Sequence, residues 1–124
     1  MTVTIYGIKN CDTMKKARAW LDAGGVAYTF HDYAKSGVAR AQLARWAGDV
    51  GWERLLNRAG TTFRKLPEAD TRDLDEAKAL DLMVAQPSMI KRPVLAIQEA
   101  GRERILVGFS PEVYADALPQ GSGR

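Results

Sequence analysis

The residue best suited to chemistry is Cys11, the only cysteine of the chain. It follows a β-prone run at residues 2–6 and precedes a helical pattern that begins near Thr13. This order predicts a cysteine at a helix N-terminus, where unpaired backbone N–H groups and the helix dipole stabilise a thiolate. Because a thiolate is the nucleophilic form of cysteine, the position favours nucleophilic sulfur chemistry over the alternative of an inert buried thiol.

Basic residues are frequent around this cysteine in the sequence: Lys9, Lys15, Lys16 and Arg18. The opposing charge is Asp12. We predict that the pKa of Cys11 lies below the ordinary value of about 8.5, first because of the helix N-terminus and then because of Lys9, Lys15 and Arg92. The carboxylate of Asp12 should limit the shift.

The composition is that of one globular domain. With 124 residues, of which 46% are hydrophobic and 27% charged, the chain can bury a core without disulfides or metals. No apolar run approaches the roughly 20 residues that span a membrane, and we expect no secretory leader. One cysteine cannot form an internal disulfide, and a free reactive thiol persists in a reducing compartment, so we expect a cytoplasmic protein.

Nucleic-acid and metal sites are both disfavoured by the sequence. The net charge is only +3, and the basic residues are scattered rather than gathered in one run. One histidine and one cysteine cannot form a usual structural zinc site, and no P-loop or dinucleotide fingerprint occurs. We interpret His31 as a surface or packing residue rather than a catalytic base. We therefore expect no bound metal or cofactor and no membrane or direct nucleic-acid partner.

The elements that must position Cys11 begin with a βαβ unit. Apolar residues recur at helical spacing after Cys11, and Gly24 and Gly25 end that helix. Residues 26–31 alternate between apolar and polar types and predict a second strand, parallel to the first. From residue 34 to residue 92 the pattern is helical, without a convincing strand.

Within this helical layer three apolar stripes are visible: Leu43, Trp46, Ala47 and Val50; Trp52, Leu55 and Leu56; and Ala77, Leu80, Met83 and Val84. Asp73 and Glu76 resemble a capping box before the third stripe. Residues 90–97 and 104–109 predict a β-hairpin, with Pro93 at the start of its first strand. Ser110 and Pro111 are typical of the start of a final helix.

Three separated motifs resemble the ArsC/Spx family. They are Ile-Tyr-Gly-Ile-Lys-Asn-Cys-Asp-Thr at residues 5–13, Ile-Lys-Arg-Pro at 90–93, and a pair at 52–57 and 60–66 that is similar to the YffB branch. The resemblance runs over residues 2–118. It implies an α/β, thioredoxin-like fold with an inserted helical subdomain: one domain at 1–118, with its core at about 1–33 and 88–118 and the insertion at about 34–87. Residues 119–124 are expected to form a flexible tail.

The resemblance also implies roles for individual residues. Cys11 corresponds to the family's nucleophile, Arg92 to its active-site arginine and Pro93 to its cis proline. An arginine offers a fixed fork of donors for an anion, so Arg92 is expected to act on the thiolate and on substrate. Lys9 is expected to bind glutathione carboxylates together with Arg92 and the backbone beside Pro93. Asn10 and Thr13 should shape the turn around the bound substrate.

Two departures from the family pattern bear on the function. Arsenate reductases of the family carry two further arginines, but Asn57 stands at the first position and Gly108 and Phe109 lie near the second. Neither Arg58 nor Arg64 is at a matching place, although both are close in sequence to the first. The Spx-type redox switch uses C-x-x-C, whereas Met14 stands at the second cysteine position.

The resemblance and these departures favour a glutathione-dependent thiol-disulfide reductase that uses one nucleophilic cysteine. Since no second cysteine can resolve a mixed disulfide, glutathione is the expected co-substrate, and glutaredoxin is a second candidate partner. Two alternatives stay open. One is a glutaredoxin-linked arsenate reductase, and the other is an Spx-like transcriptional regulator that binds RNA polymerase.

Overall fold

The computed structural model describes residues 1–118, and the predicted tail at 119–124 lies outside them. Two compact units are present: Met1–Asp32 together with the chain from Arg92 onward, and Tyr33–Lys91. Within the described residues, no helix combines the length and the apolar character that a membrane span needs.

The strands of the described residues lie in the first unit. Its elements in chain order are β1 (Thr2–Gly7), α1 (Asp12–Ala23), β2 (Thr29–Asp32), β3 (Val94–Glu99) and β4 (Arg102–Val107), followed by a C-terminal helix (Pro111–Ala117). The strands form one sheet in the order β2-β1-β3-β4. This βαβ and ββα arrangement is thioredoxin-like, as the sequence predicts.

The central strand β1 organises this sheet. It pairs in parallel with β2, as predicted, and antiparallel with β3, so that Tyr6 lies opposite Val94. Its side chains alternate, with Val3 and Ile5 buried. Because β1 and β3 run in opposite directions, the end of β1 lies beside the start of β3. Cys11 follows the end of β1 and Pro93 directly precedes β3, so both lie at this end of the sheet.

The second strand is shorter than predicted. It begins at Thr29 rather than at Val26, because Val26 is hydrogen-bonded to the last turn of α1. The N–H of Val26 donates to the carbonyl of Leu21 at 3.0 Å, and Gly25 has a φ of +69°. These are features of a helix C-cap, so the apolar side chain of Val26 joins the core without joining the sheet.

The core of the first unit lies between the sheet and its two helices. Its buried members are Val3, Ile5, Met14, Ala17, Leu21, Val26, Leu95, Ile97, Leu106, Tyr114 and Leu118. Cys11 is one of the half-buried residues that pack against this cluster. Fully burying an aliphatic side chain contributes about 1.5–3 kcal/mol, so this core holds the start of α1 in place.

The second unit is helical. Its elements are α2 (Tyr33–Ser36), α3 (Arg40–Val50), α4 (Trp52–Leu55), α5 (Thr61–Arg64), α6 (Glu68–Thr71), α7 (Glu76–Ala85) and a 3-10 turn (Pro87–Met89). With them, the C-terminal helix of the first unit becomes α8. The chain leaves this unit along a short pairing, because Leu56 bridges Ile90 and the Lys91 N–H donates to the Leu55 carbonyl at 2.7 Å.

The start of α7 differs from the prediction. The N-cap is Asp75, whose carboxylate accepts from the Lys78 N–H at 2.9 Å, so the predicted capping box from Asp73 is wrong. Asp73 has a φ of +53°, outside the extended region that an N-cap adopts.

The apolar face of α7 is rotated from the predicted one. Ala79, Leu80 and Met83 are buried, whereas Ala77 and Val84 are exposed. The sequence pattern allows either face, because alanine occurs on both.

Candidate active site

Cys11 occupies the N-cap of α1, as the sequence predicts. Its backbone is extended, with φ −130° and ψ 129°, and its carbonyl accepts the first helical hydrogen bond from the Lys15 N–H at 3.0 Å. The strand β1 ends at Gly7, so a three-residue turn carries the chain from the sheet to this cap. The thiol is therefore half-buried beyond the end of the central strand, next to the first N–H groups of α1.

The pKa of the Cys11 thiol is lowered from its ordinary value. Burial opposes this shift and is the largest single influence. It is outweighed by the backbone N–H of Met14, the Arg92 side chain and the backbone N–H of Thr13 acting together, with the positive charge of Arg92 adding to its hydrogen bond. The sulfur does not meet the distance and angle criteria of a helix-capping hydrogen bond. These donors therefore act on its charge rather than as a helix cap.

Arg92 reaches the thiol because of the sheet topology. It precedes β3, which lies antiparallel to β1, and its half-buried side chain acts on the sulfur both as donor and as charge. The Arg92–Pro93 peptide bond is cis, in agreement with the resemblance. The carbonyl of Pro93 accepts from the Gly108 N–H at 2.8 Å, which ties this segment to the end of β4.

The lysines do not act as expected. Among the described residues, the cationic group that lowers the pKa of Cys11 is Arg92, and neither Lys9 nor Lys15 contributes. Both lysines are exposed. The reason is geometric, since a residue close in sequence can direct its side chain into solvent while a distant residue is brought near by strand pairing.

Arg18 also differs from the expectation. Its guanidinium stacks over the Phe30 ring at 4.6 Å, and its Nε donates to the Tyr28 hydroxyl at 3.3 Å. This places the charge between α1 and the segment that leads into β2. Arg18 therefore holds these elements together and does not act on Cys11.

The remaining predicted residues lie in the turn and at its exit. Asn10 is exposed beside Cys11, and the side chain of Thr13 is exposed on the first turn of α1. Thr13 acts on the sulfur through its backbone, not through its hydroxyl. Sequence reasoning missed Met14 as a second backbone donor. Its position three residues after the N-cap could have indicated it, because that N–H faces a capping side chain.

The residues that the resemblance relates to the first arginine position, Asn57, Arg58 and Arg64, belong to the helical unit. The backbone N–H of Asn57 donates to the Met89 carbonyl at 2.7 Å. The guanidinium of Arg58 lies 5.5 Å from the ring centre of Trp52, and Arg64 is exposed in the last turn of α5. Trp52 therefore offers Arg58 a cation–π contact within its own unit.

The site brings together a nucleophile and donors for negative charge. A thiolate held by two N–H groups and a guanidinium can attack a disulfide or another electrophile, and the same donors can then receive an anionic group. Among residues 1–118, no group of three or more histidine, cysteine, aspartate or glutamate side chains could hold a metal ion. The reactive group that this site offers is the sulfur of Cys11.

Comparisons with known proteins agree with this fold. A curated protein of Haemophilus influenzae described as uncharacterized is 37% identical over 116 residues, which cover 94% of this chain and 98% of that protein. The global transcriptional regulator Spx of Streptococcus mutans is 26% identical over 120 residues, which cover 95% of this chain and 84% of the regulator. This chain is therefore similar to both over almost its whole length.

Solved structures extend the comparison. The structure of the YFFB (PA3664) protein is 62% identical, with a TM-score of 0.89 over 95% of this chain and all of that chain. An arsenate reductase (ArsC) related protein from Brucella melitensis is 59% identical, with a TM-score of 0.71 over 94% of this chain and 93% of that chain. The ArsC family matches residues 6–117. Since this match covers most of the sequence, the chain belongs to the ArsC family.

Proposed function

We propose that this protein is a glutathione-dependent thiol-disulfide reductase in which Cys11 is the nucleophile. The observation that carries the proposal is the lowered pKa of Cys11, which burial alone would raise and which N–H groups of α1 and Arg92 bring down. A lowered pKa increases the thiolate fraction at neutral pH, and the thiolate is the form that attacks disulfides.

The reaction takes place in two exchanges. In the first, the Cys11 thiolate attacks a mixed disulfide between a substrate thiol and glutathione, forms a disulfide with glutathione, and releases the substrate as a thiolate. In the second, a glutathione thiolate attacks the glutathione-bound Cys11, forms oxidised glutathione and regenerates the Cys11 thiolate. Each step exchanges one S–S bond for another, so that one free glutathione thiol is consumed and the other half of the oxidised glutathione comes from the mixed disulfide.

The second thiol comes from glutathione because the chain has one cysteine. Met14, which stands where a resolving cysteine would lie in a C-x-x-C motif, has a buried thioether that cannot do this chemistry. Arg92 is proposed to pair with a carboxylate of glutathione once the sulfur is in a disulfide, and Lys9 is proposed to meet the second carboxylate. A reducing cytoplasm would supply the co-substrate.

The test is glutathione turnover with a small disulfide. Wild-type protein is mixed with glutathione and hydroxyethyl disulfide, and formation of oxidised glutathione is followed with glutathione reductase. Cys11→Ser should have no activity above the background. Mass spectrometry of the wild type mixed with oxidised glutathione, without excess reduced glutathione, should show one glutathione attached at Cys11. Equal turnover by the two proteins would overturn the proposal.

Arsenate reduction is a second candidate, because a relative 59% identical is described as related to arsenate reductase. In this function Cys11 would form a covalent arsenate adduct, and Arg92 would neutralise its negative charge. An assay with arsenate, glutathione and glutaredoxin separates the two functions. Turnover well above a control without the protein, together with no activity on hydroxyethyl disulfide, would favour arsenate.

A regulatory role is the candidate of another class, since Spx of Streptococcus mutans matches 95% of this chain. Such a protein would bind RNA polymerase and need no turnover. Purified polymerase and this protein can be mixed and passed over a sizing column. A stoichiometric complex that also forms with Cys11→Ser would favour the regulator over both enzymes.

A further inference from the structure

Gly7, the last residue of β1, is covered by a side chain of α1. A Cβ atom added to Gly7 would overlap the sulfur of Met14 and crowd the neighbouring Cγ and Cε atoms. Met14 is only 1% exposed and belongs to the core of its unit. Because protein cores are close-packed, a buried thioether cannot swing away freely. The close approach of α1 to the sheet therefore depends on the missing side chain of Gly7.

The same residue reaches the thiol through its backbone. The hydrogen bond from the Met14 N–H is the largest single contribution that favours the Cys11 thiolate. The Lys15 N–H binds the Cys11 carbonyl at 3.0 Å, so the turn from Cys11 to Lys15 moves as one unit. The attraction between an N–H and a thiolate weakens steeply as distance and angle change. Displacing the Met14 side chain would therefore change the surroundings of the sulfur.

Several other glycines among the described residues do not share this environment. A Cβ atom at Gly48 would meet nothing within 4 Å, and the same is true at Gly101 and Gly108. Gly48 lies inside α3, is exposed, and has an ordinary φ. An alanine there should be tolerated, because alanine is the better helix former. Gly48 is thus the matched control for Gly7.

We propose that Gly7 and Met14 are positioning residues for Cys11. Because Gly7 has no side chain, the Met14 side chain can pack directly against its backbone, and this contact holds the first turn of α1 in the position where its N–H groups act on the sulfur. The importance of this alignment for turnover rests on the proposed function. The alignment itself does not, since it is measured on the thiol without glutathione.

The experiment compares the reactivity of Cys11 in Gly7→Ala, Met14→Ala and the double variant, with Gly48→Ala as control. Iodoacetamide alkylation of Cys11 is followed by mass spectrometry across a pH series, and near-ultraviolet circular dichroism checks the fold. Gly7→Ala should move the midpoint of alkylation to higher pH and slow the reaction roughly threefold at neutral pH. Met14→Ala should act in the same direction, because the side chain that packs against Gly7 is then missing.

The double variant tests the contact itself. Met14→Ala deletes the atoms that an alanine at position 7 would overlap. Adding Gly7→Ala to Met14→Ala should therefore not raise the alkylation midpoint above that of Met14→Ala, and should instead bring it closer to the wild-type value. Gly48→Ala should keep the wild-type midpoint. A folded Gly7→Ala with an unchanged midpoint would overturn the proposal and leave Gly7 a packing residue. If Gly7→Ala does not fold, Met14→Ala decides, since a folded protein with the wild-type midpoint would overturn it equally.

A wild-type protein with a low alkylation midpoint but no glutathione turnover would contradict the proposed function alone. The positioning of Cys11 would then still be decided by the comparison of variants.

Discussion

Two helices of the sheet-containing unit begin in different ways. At the start of α8, Ser110 accepts from the Val113 N–H at 3.5 Å, and its hydroxyl donates to the Glu112 carboxylate at 2.8 Å. At the start of α1, the Cys11 side chain makes no such cap. The N–H groups of α8 therefore stabilise the helix itself, whereas those of α1 remain directed at a thiol that can ionise.

Both helix starts favour negative charge. The pKa of Glu112 is lowered by its own backbone N–H first and by the Ser110 hydroxyl second. The pKa of Cys11 is lowered although its burial works in the opposite direction. The difference is that Glu112 is ionised at neutral pH in any case, while for a cysteine the shift changes reactivity. The comparison shows how a common structural feature can serve stability in one place and chemistry in another.

The largest expected effect is that of removing Arg92, which should change the pKa of Cys11 at the start of α1. Arg92→Ala leaves the N–H groups of α1 but takes away the guanidinium, so the pKa of Cys11 should rise and alkylation at neutral pH should slow several-fold. The measurement is the pH dependence of iodoacetamide alkylation. Arg18→Ala is the control, because Arg18 packs on Phe30 and should affect stability without moving the alkylation midpoint. Equal shifts in both variants would mean that overall charge, not position, governs the thiol.

Removing the cap of α8 should have the next largest effect. Ser110→Ala loses the hydroxyl that caps the helix, and such changes cost about 1 kcal/mol of the free energy of unfolding. Urea denaturation measures this loss. The alkylation midpoint of Cys11 should stay at the wild-type value, because Ser110 is not among the groups that shift its pKa. A changed midpoint would show that the two helix starts are coupled.

Replacing the thiol by a hydroxyl should have a smaller and pH-dependent effect on stability. Serine is a preferred N-cap, so Cys11→Ser should be as stable as wild type or slightly more stable at low pH. The wild type gains stability as pH rises through the lowered pKa of Cys11, because the unfolded state then holds more protons than the folded state. The advantage of Cys11→Ser in urea denaturation should therefore shrink as pH rises. An advantage that grows with pH would contradict a lowered pKa.

The smallest effect is expected within α8. The ring of Tyr114 packs edge-on against Trp20 and Phe109, with ring centres 5.6 and 4.9 Å apart, but its buried hydroxyl has no hydrogen-bond partner among residues 1–118. Burial raises the pKa of this hydroxyl, so it stays neutral. Tyr114→Phe removes an unpaired polar group and should change the free energy of unfolding by less than about 1 kcal/mol, in the stabilising direction. A clear loss of stability in urea would show that the hydroxyl has a partner.

Errors in the predicted elements have a shared cause. Val26 is apolar and follows two glycines, which is typical of a strand, but its N–H is taken by the end of α1. Asp73 has the spacing of a capping box, but Asp75 is the residue with extended backbone before α7. In both places, sequence patterns leave several neighbouring residues as candidates. The backbone hydrogen bonds choose one of them, and these depend on how the helix ends pack.

The sequence by itself determined the position of Cys11, because strand propensity, a turn and helical periodicity are all local. It also determined that this chain has a single thiol. The resemblance added Arg92, which no local pattern indicates. Only the tertiary structure decided which cation acts on the sulfur, since the antiparallel pairing of β1 and β3 brings Arg92 near while Lys9 and Lys15 remain in solvent. Electrostatic influence depends on distance and burial in space, and separation along the chain specifies neither.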